Sequence, residues 1–292
     1  MATTRRRRTV DGMVDSDVEP CTPAGAPVRT HRLVGWLALV LGVLAVVGVL
    51  VSWLRLQLPD DARPVVRFAL DQLTRLLYVD AEANAWAWSS ATVLALLAAA
   101  LAVSAAAHRG AGLRWRSLAV LAAVALLLSA DEGAMLHETL NEVGVRVTDV
   151  LGPFNAWLLP GVLVVLAAGA ALLRVARGVD PWLRRRLVVA GAVFLAGAIG
   201  MEAVGVAFAL TDDAANPWES GTYHVLVLVE EGLEAAGALV ALRAVLATFD
   251  VRVARGGVRV APRGRAVRAG VDDGEAVRPA QHEAGARGRG GR

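Results

Sequence analysis

Long runs without a charged side chain set the frame of this chain. Leu33 to Leu54 and Ala85 to Ala107 contain no Asp, Glu, Lys or Arg, and about 20 helical residues suffice to cross a hydrocarbon core of about 30 Å. Ala156 to Leu173 is a third uncharged run, slightly shorter. Three more runs are interrupted: Ser117 to Ala130 stops at Asp131, Leu187 to Met201 stops at Glu202, and the run after Tyr223 holds Glu230, Glu231 and Glu234. Each interrupted run is too short to span unless it takes its acids with it, since the stretch from Arg116 to Asp131 rises only about 22 Å as a helix. The pattern predicts an all-α polytopic membrane protein, with six transmembrane helices at about 33–54, 85–107, 115–140, 156–175, 186–210 and 222–247 in a membrane domain over 29–250. Between the first two spans, Val66, Leu70, Leu73 and Leu77 recur at three and four while Arg67, Asp71 and Arg75 follow at fours. That spacing predicts an amphipathic helix over about 63–78, lying on the outer interface. The ends, 1–28 and 251–292, have no period and are rich in Gly, Pro, Arg and Asp, so disordered tails are expected there.

Composition agrees with a membrane chain: 56% of residues are hydrophobic and the mean hydropathy is +0.51. All 30 basic residues are arginine, the coding bias of a GC-rich bacterial genome, so arginine richness alone indicates no ligand. Position is more informative. Arginines gather in the N-tail, at 109, 114 and 116, at 174, 177 and 184–186, and in the C-tail, whereas 211–222 has acids and no base. By the positive-inside rule the arginine-bearing segments are cytoplasmic, giving both termini inside a bacterial plasma membrane. The four arginines at 5–8 stand about two dozen polar residues before the first apolar run, unlike a cleavable leader, so that run is expected to remain as an anchor. The lone Cys21 supports no disulfide. The region 251–292 has ten arginines against four acids and can approach anionic lipid, but no binding module accompanies it and no specific nucleic acid is expected.

The acids carry the candidate chemistry. Counting about 1.5 Å per residue puts Asp131, Glu132, Glu202, Glu230, Glu231 and Glu234 in the outer half of the bilayer, with His137, Glu138 and His224 at its rim. Asp80 and Glu82 stand at the outer mouth of the second span, where acids near a helix start also serve as caps. Uncompensated, the six embedded acids would burden the fold by on the order of 10 kcal/mol. No intramembrane arginine neutralises them, which directs attention to protons or a bound cation. On a helical wheel His224, Glu230, Glu231 and Glu234 share one stripe, and Gly191, Ala198, Glu202 and Gly205 share a face of the fifth span. A carboxylate and imidazole set suits a hard or borderline divalent metal ion, with Asp131, His137, Glu138, Glu202, Glu231, Glu234 and His224 as ligands and Glu132 or Glu230 as a base acting on a lipophilic substrate. The zincin pattern H-E-x-x-H is absent, because Thr139, Leu140 and Asn141 follow His137 and Glu138. The rival reading takes the same acids as the relay of a proton- or cation-coupled transporter, and a third is a non-catalytic scaffold or assembly subunit.

Four strings, VDAEANAWAWSS, SADEGAMLHE, GAIGMEAVG and VEEGLEAAG, fall in the second, third, fifth and sixth predicted spans. Together they resemble the motif set of a family of uncharacterised bacterial multi-pass membrane proteins. The resemblance implies the architecture and the importance of these acids, and no activity. Ala85 to Trp88 departs from it where a proline-containing turn is expected.

Overall fold

A computed structural model describes residues 26–59, 61–80, 83–137, 139–146, 158–211, 216, 220–254 and 257–262. Over these the chain is mostly helical: β1 (Ala26–Pro27), α1 (Thr30–Leu56), α2 (Pro64–Leu77), α3 (Ala85–Gly110), α4 (Arg116–Ala134), α5 (Thr139–Val145), α6 (Leu158–Ala176), α7 (Pro181–Leu195), a π-helical turn (Ala196–Met201), α8 (Glu202–Thr211), α9 (Gly221–Leu246), β2 (Phe249–Ala254) and β3 (Gly257–Pro262). Among the described residues, four helices are long and apolar enough to cross a membrane: α1, α3, α4 and the continuous stretch Pro181–Thr211, formed by α7, the π-turn and α8. The apolar part of α6, Pro160–Ala176, is shorter, and α9 has the length but carries the three glutamates.

Helix α9 packs against α1, α3, α7, the π-turn and α8, and α3 also lies along α4. The core results from that arrangement. Leu94 and Val93 of α3 meet the same buried cluster as Val227, Leu242 and Val245 of α9. Small residues allow the closest approaches: a Cβ on Gly237 would stand 2.7 Å from the Ala190 carbonyl oxygen and from the Phe194 nitrogen, so α9 and α7 meet backbone to backbone. The outward surface is aliphatic, with Leu126 and Leu127 on α4 and Leu163, Val164 and Leu166 on α6 all exposed, and helices satisfy their own backbone groups as a bilayer demands.

Three sequence expectations change. The third span does not run unbroken from 115 to 140: α4 ends at Ala134, Met135 takes a left-handed conformation (φ 53°), and the chain turns before α5. The fifth span is not a regular helix, because the π-turn inserts an extra residue and shifts the phase of α8 relative to α7. Gly191 therefore faces outward with nothing within 4 Å of an added Cβ, while Gly197 is buried against α9. Part of the expected tails is also ordered. β2 and β3 pair antiparallel with Val251 opposite Val260 and Val253 opposite Val258, and Ala26 and Pro27 of β1 pair with Val253 and Arg252. Val251 and Val253 alternate with Asp250 and Arg252 along β2, and Gly257 adopts φ 134°, which a side chain would strain. The remainder of both expected tails lies outside the described residues.

The sheet marks one end of the bundle. β1 leads into α1 and β2 continues from α9, while the α6–α7 turn at Gly178 packs on Ser117 at the start of α4. At the opposite end, α2 is tied to α1 by an Arg55–Asp71 ion pair of 2.6 Å. Asp71 thus pairs with α1, and Arg67 donates to the carbonyl of Pro59.

Candidate functional site

The acids lie in the part of the bundle away from the sheet, along the seam of the π-turn and α8 with α9, and Glu132 of α4 is within electrostatic reach. Glu230 of α9 forms a side-chain hydrogen bond with Glu202, the first residue after the π-turn. Glu230 also lies within electrostatic reach of Glu231 and Asp80, and Glu234 within reach of Glu231, Glu132, Glu230 and Glu202. Gly197 makes this convergence sterically feasible. A Cβ there would lie 2.6 Å from the Glu230 carbonyl oxygen and 2.8 Å from Glu234 Cγ, so the π-turn rests directly on the α9 turn that carries the acids. π-turns are rare in helices and concentrate at functional sites.

The polar stripe of α9 divides between two sides. Glu230 and Glu234 face the π-turn, whereas Glu231 and His224, seven residues apart and so on one face, turn toward α3 and α1. The indole N–H of Trp86, a residue 2% exposed, donates to Glu231 Oε2 at 2.6 Å. His224 Nδ1 donates to the Ser220 carbonyl at 2.9 Å, since a carbonyl only accepts. In the neutral ring Nε2 is then the acceptor for the buried Ser52 hydroxyl, 3.0 Å away. The Tyr78 ring sits 5.1 Å from His224, and Tyr78 is held in place by Asn84, which donates to its carbonyl. Burial, and secondarily Asp80, push the Tyr78 hydroxyl above the ordinary tyrosine range, so it stays neutral.

Asp131 does not join the cluster. It ends α4: its carbonyl accepts Met135 N–H at 2.7 Å, its Oδ1 accepts His137 N–H at 2.7 Å, and its Oδ2 stands 3.4 Å from His137 Nδ1. The carboxylate satisfies the backbone of a left-handed turn that no glycine provides. Asp131 and His137 form a separate pair, while Glu132, next in sequence, is the α4 residue that reaches toward Glu234. Glu138 lies outside the described residues. The cap of α3 is Asn84, whose Oδ1 accepts Ala87 N–H at 3.0 Å, so capping there does not fall to Asp80.

Among the described residues no group of three or more His, Cys, Asp or Glu side chains converges as a metal would require. Both nitrogens of His224 are engaged, and Asp131 and His137 bind each other. What the geometry can do is hold protons. A hydrogen bond between two carboxyl groups contains one, because an ionised carboxylate only accepts.

Sequence reasoning missed Trp86, Ser52, Tyr78, Asn84 and Gly197. Trp86 and Trp88 stand together near the start of a predicted span, and nothing in the neighbours of Trp86 separates it from Trp88, which is 70% exposed. The glycines before Glu202 were visible, but a π-turn has no sequence signature that places it. No curated protein and no solved structure matches this chain. A family model matches residues 36–249, well over half of the sequence, and the chain belongs to that family, described as a domain of unknown function, DUF8692.

Proposed function

We propose that this is an integral membrane protein of six spans with both termini cytoplasmic in a bacterial plasma membrane, and that its carboxyl cluster is the proton relay of a proton- or cation-coupled transporter. The observation that carries this reading is the hydrogen bond between the carboxyls of Glu202 and Glu230. Two acids so joined exchange one proton and share the burden of burial. Glu234, Glu231 and Glu132 surround them, and Asp80 lies toward the end of the bundle from which protons would enter. Trp86 and Ser52 fix Glu231 and His224 by donating to them, so a change in protonation is felt by α1 and α3 as well as α9. Such coupling between a proton site and the packing of several helices is what a gated carrier needs.

The test is flux. Full-length protein in liposomes loaded with a pH-sensitive dye should acidify the lumen under an imposed proton gradient, and Glu202→Gln and Glu230→Gln should each abolish this. Flux unchanged in both variants overturns the reading. So does stoichiometric divalent metal in the purified protein that is lost on Glu230→Gln, which would restore the metal reading.

A further inference from the structure

We propose that the turn between α6 and α7 forms a binding site for one anionic glycerophospholipid of the surrounding bilayer. An open groove of about 720 Å³ lies here, lined by Leu173, Arg177, Arg184, Arg185, Val188 and Val189. The lining is ordered by depth. Arg184 and Arg185 precede Val188 and Val189 by four residues each, so the guanidinium groups lie about one helical turn, roughly 5 to 6 Å, nearer the bundle end than the valines. Leu173 near the end of α6 and Arg177 just past that end repeat the order, again four residues apart.

The charge is uncompensated. Among the described residues, none of the three arginines forms an ion pair. The nearest acid in sequence, Asp180, is committed to the start of α7, where Oδ1 accepts from Trp182 N–H at 3.0 Å and Leu183 N–H at 3.2 Å. Arg186 is engaged as well, its guanidinium standing 5.7 Å over the Trp182 ring. The turn itself is fixed, because Val179 and Leu183 are 6% and 3% exposed in the core. A rigid turn thus holds three guanidinium groups, with no ion pair among the described residues, beside an exposed aliphatic wall.

A phosphodiester headgroup with acyl chains matches both parts: arginines pair with phosphate oxygens, and the chains lie along Leu173, Val188 and Val189. A free phosphate would leave the aliphatic wall unused, and a neutral lipid would leave the charge unmatched. The inference rests on the membrane placement proposed for the bundle and not on the proton relay.

The experiment is native mass spectrometry of the full chain in neutral detergent, titrated with phosphatidylglycerol or phosphatidylcholine. Phosphatidylglycerol should be retained at least tenfold more tightly. Arg177→Gln, Arg184→Gln and Arg185→Gln should each weaken it roughly fivefold, while Arg186→Gln leaves it unchanged. Melting curves identify any variant that fails to fold, and the folded single variants decide. Equal retention of the two lipids, wild-type retention in the arginine variants, or complete displacement of the lipid by an equal concentration of glycerol phosphate would each overturn the proposal. Absence of proton flux from the unsubstituted protein, with lipid retention intact, would refute the relay alone.

Discussion

Gly197→Ala and Gly191→Ala separate the observed packing from a regular helix. On an unbroken α-helix, Gly191 shares a face with Glu202 and Gly205, and a methyl at 191 would collide with the neighbouring helix. The π-turn reverses this. The methyl of Gly197→Ala would lie 2.6 Å from the Glu230 carbonyl oxygen and 2.8 Å from Glu234 Cγ, about 0.7 Å inside an ordinary carbon contact of about 3.5 Å. One obstacle is backbone, which cannot rotate away, so α9 and the π-turn must separate at a cost of about 1–3 kcal/mol. Gly191 has nothing within 4 Å of an added Cβ, and alanine there should be neutral or stabilise by up to about 1 kcal/mol through helix propensity. At about 2–4 °C per kcal/mol, Gly197→Ala should lower the melting temperature by about 2 to 12 °C while Gly191→Ala holds or raises it. Thermal unfolding in detergent, followed by circular dichroism, reads both. If Gly191→Ala destabilises as much as Gly197→Ala, the phase shift is wrong and the placement of Glu202 falls with it.

Other expectations concern single contacts. Trp86→Phe removes the donor to Glu231 and should destabilise by about 1–3 kcal/mol; in a double-mutant cycle with Glu231→Gln the two losses should be less than additive, and full additivity would deny the contact. Asp131→Ala leaves His137 N–H without its acceptor and should lower stability by about 1–3 kcal/mol while sparing proton flux per folded molecule, so selective loss of flux would return Asp131 to the site. The raised Tyr78 hydroxyl favours the neutral form in the fold, so its contribution to stability is complete below about pH 10 and is lost as pH rises beyond it. Tyr78→Phe should flatten the alkaline arm of a stability–pH curve, and an unaltered arm would contradict that assignment.

Much of the architecture can be read from charge-free length, because a bilayer leaves the backbone few alternatives to the helix. The same arithmetic carries Glu132, Glu202, Glu230, Glu231 and Glu234 to one level, since rise per residue is nearly constant. Azimuth is less secure. A single inserted residue at 196–201 redirects every later side chain of the span, which is why Gly191 and Gly197 exchange roles. Helix ends fail for a related reason: Met135 stops α4 with a left-handed residue that is not glycine, stabilised by the side chain of Asp131, an acid that reads from sequence as a ligand. The β2–β3 hairpin was legible in principle, since Val251, Val253, Val258 and Val260 alternate with other residues about Gly256 and Gly257. Its arginine-rich surroundings obscured the period.

The most direct test of the central claim is the infrared spectrum of the full-length protein near neutral pH, read for the carbonyl stretch of a protonated carboxyl group. A proton held between Glu202 and Glu230 predicts such a band in the wild type, shifted on exchange into heavy water and diminished in both Glu202→Gln and Glu230→Gln. A wild-type spectrum without it, or a band that neither substitution alters, would contradict the shared proton.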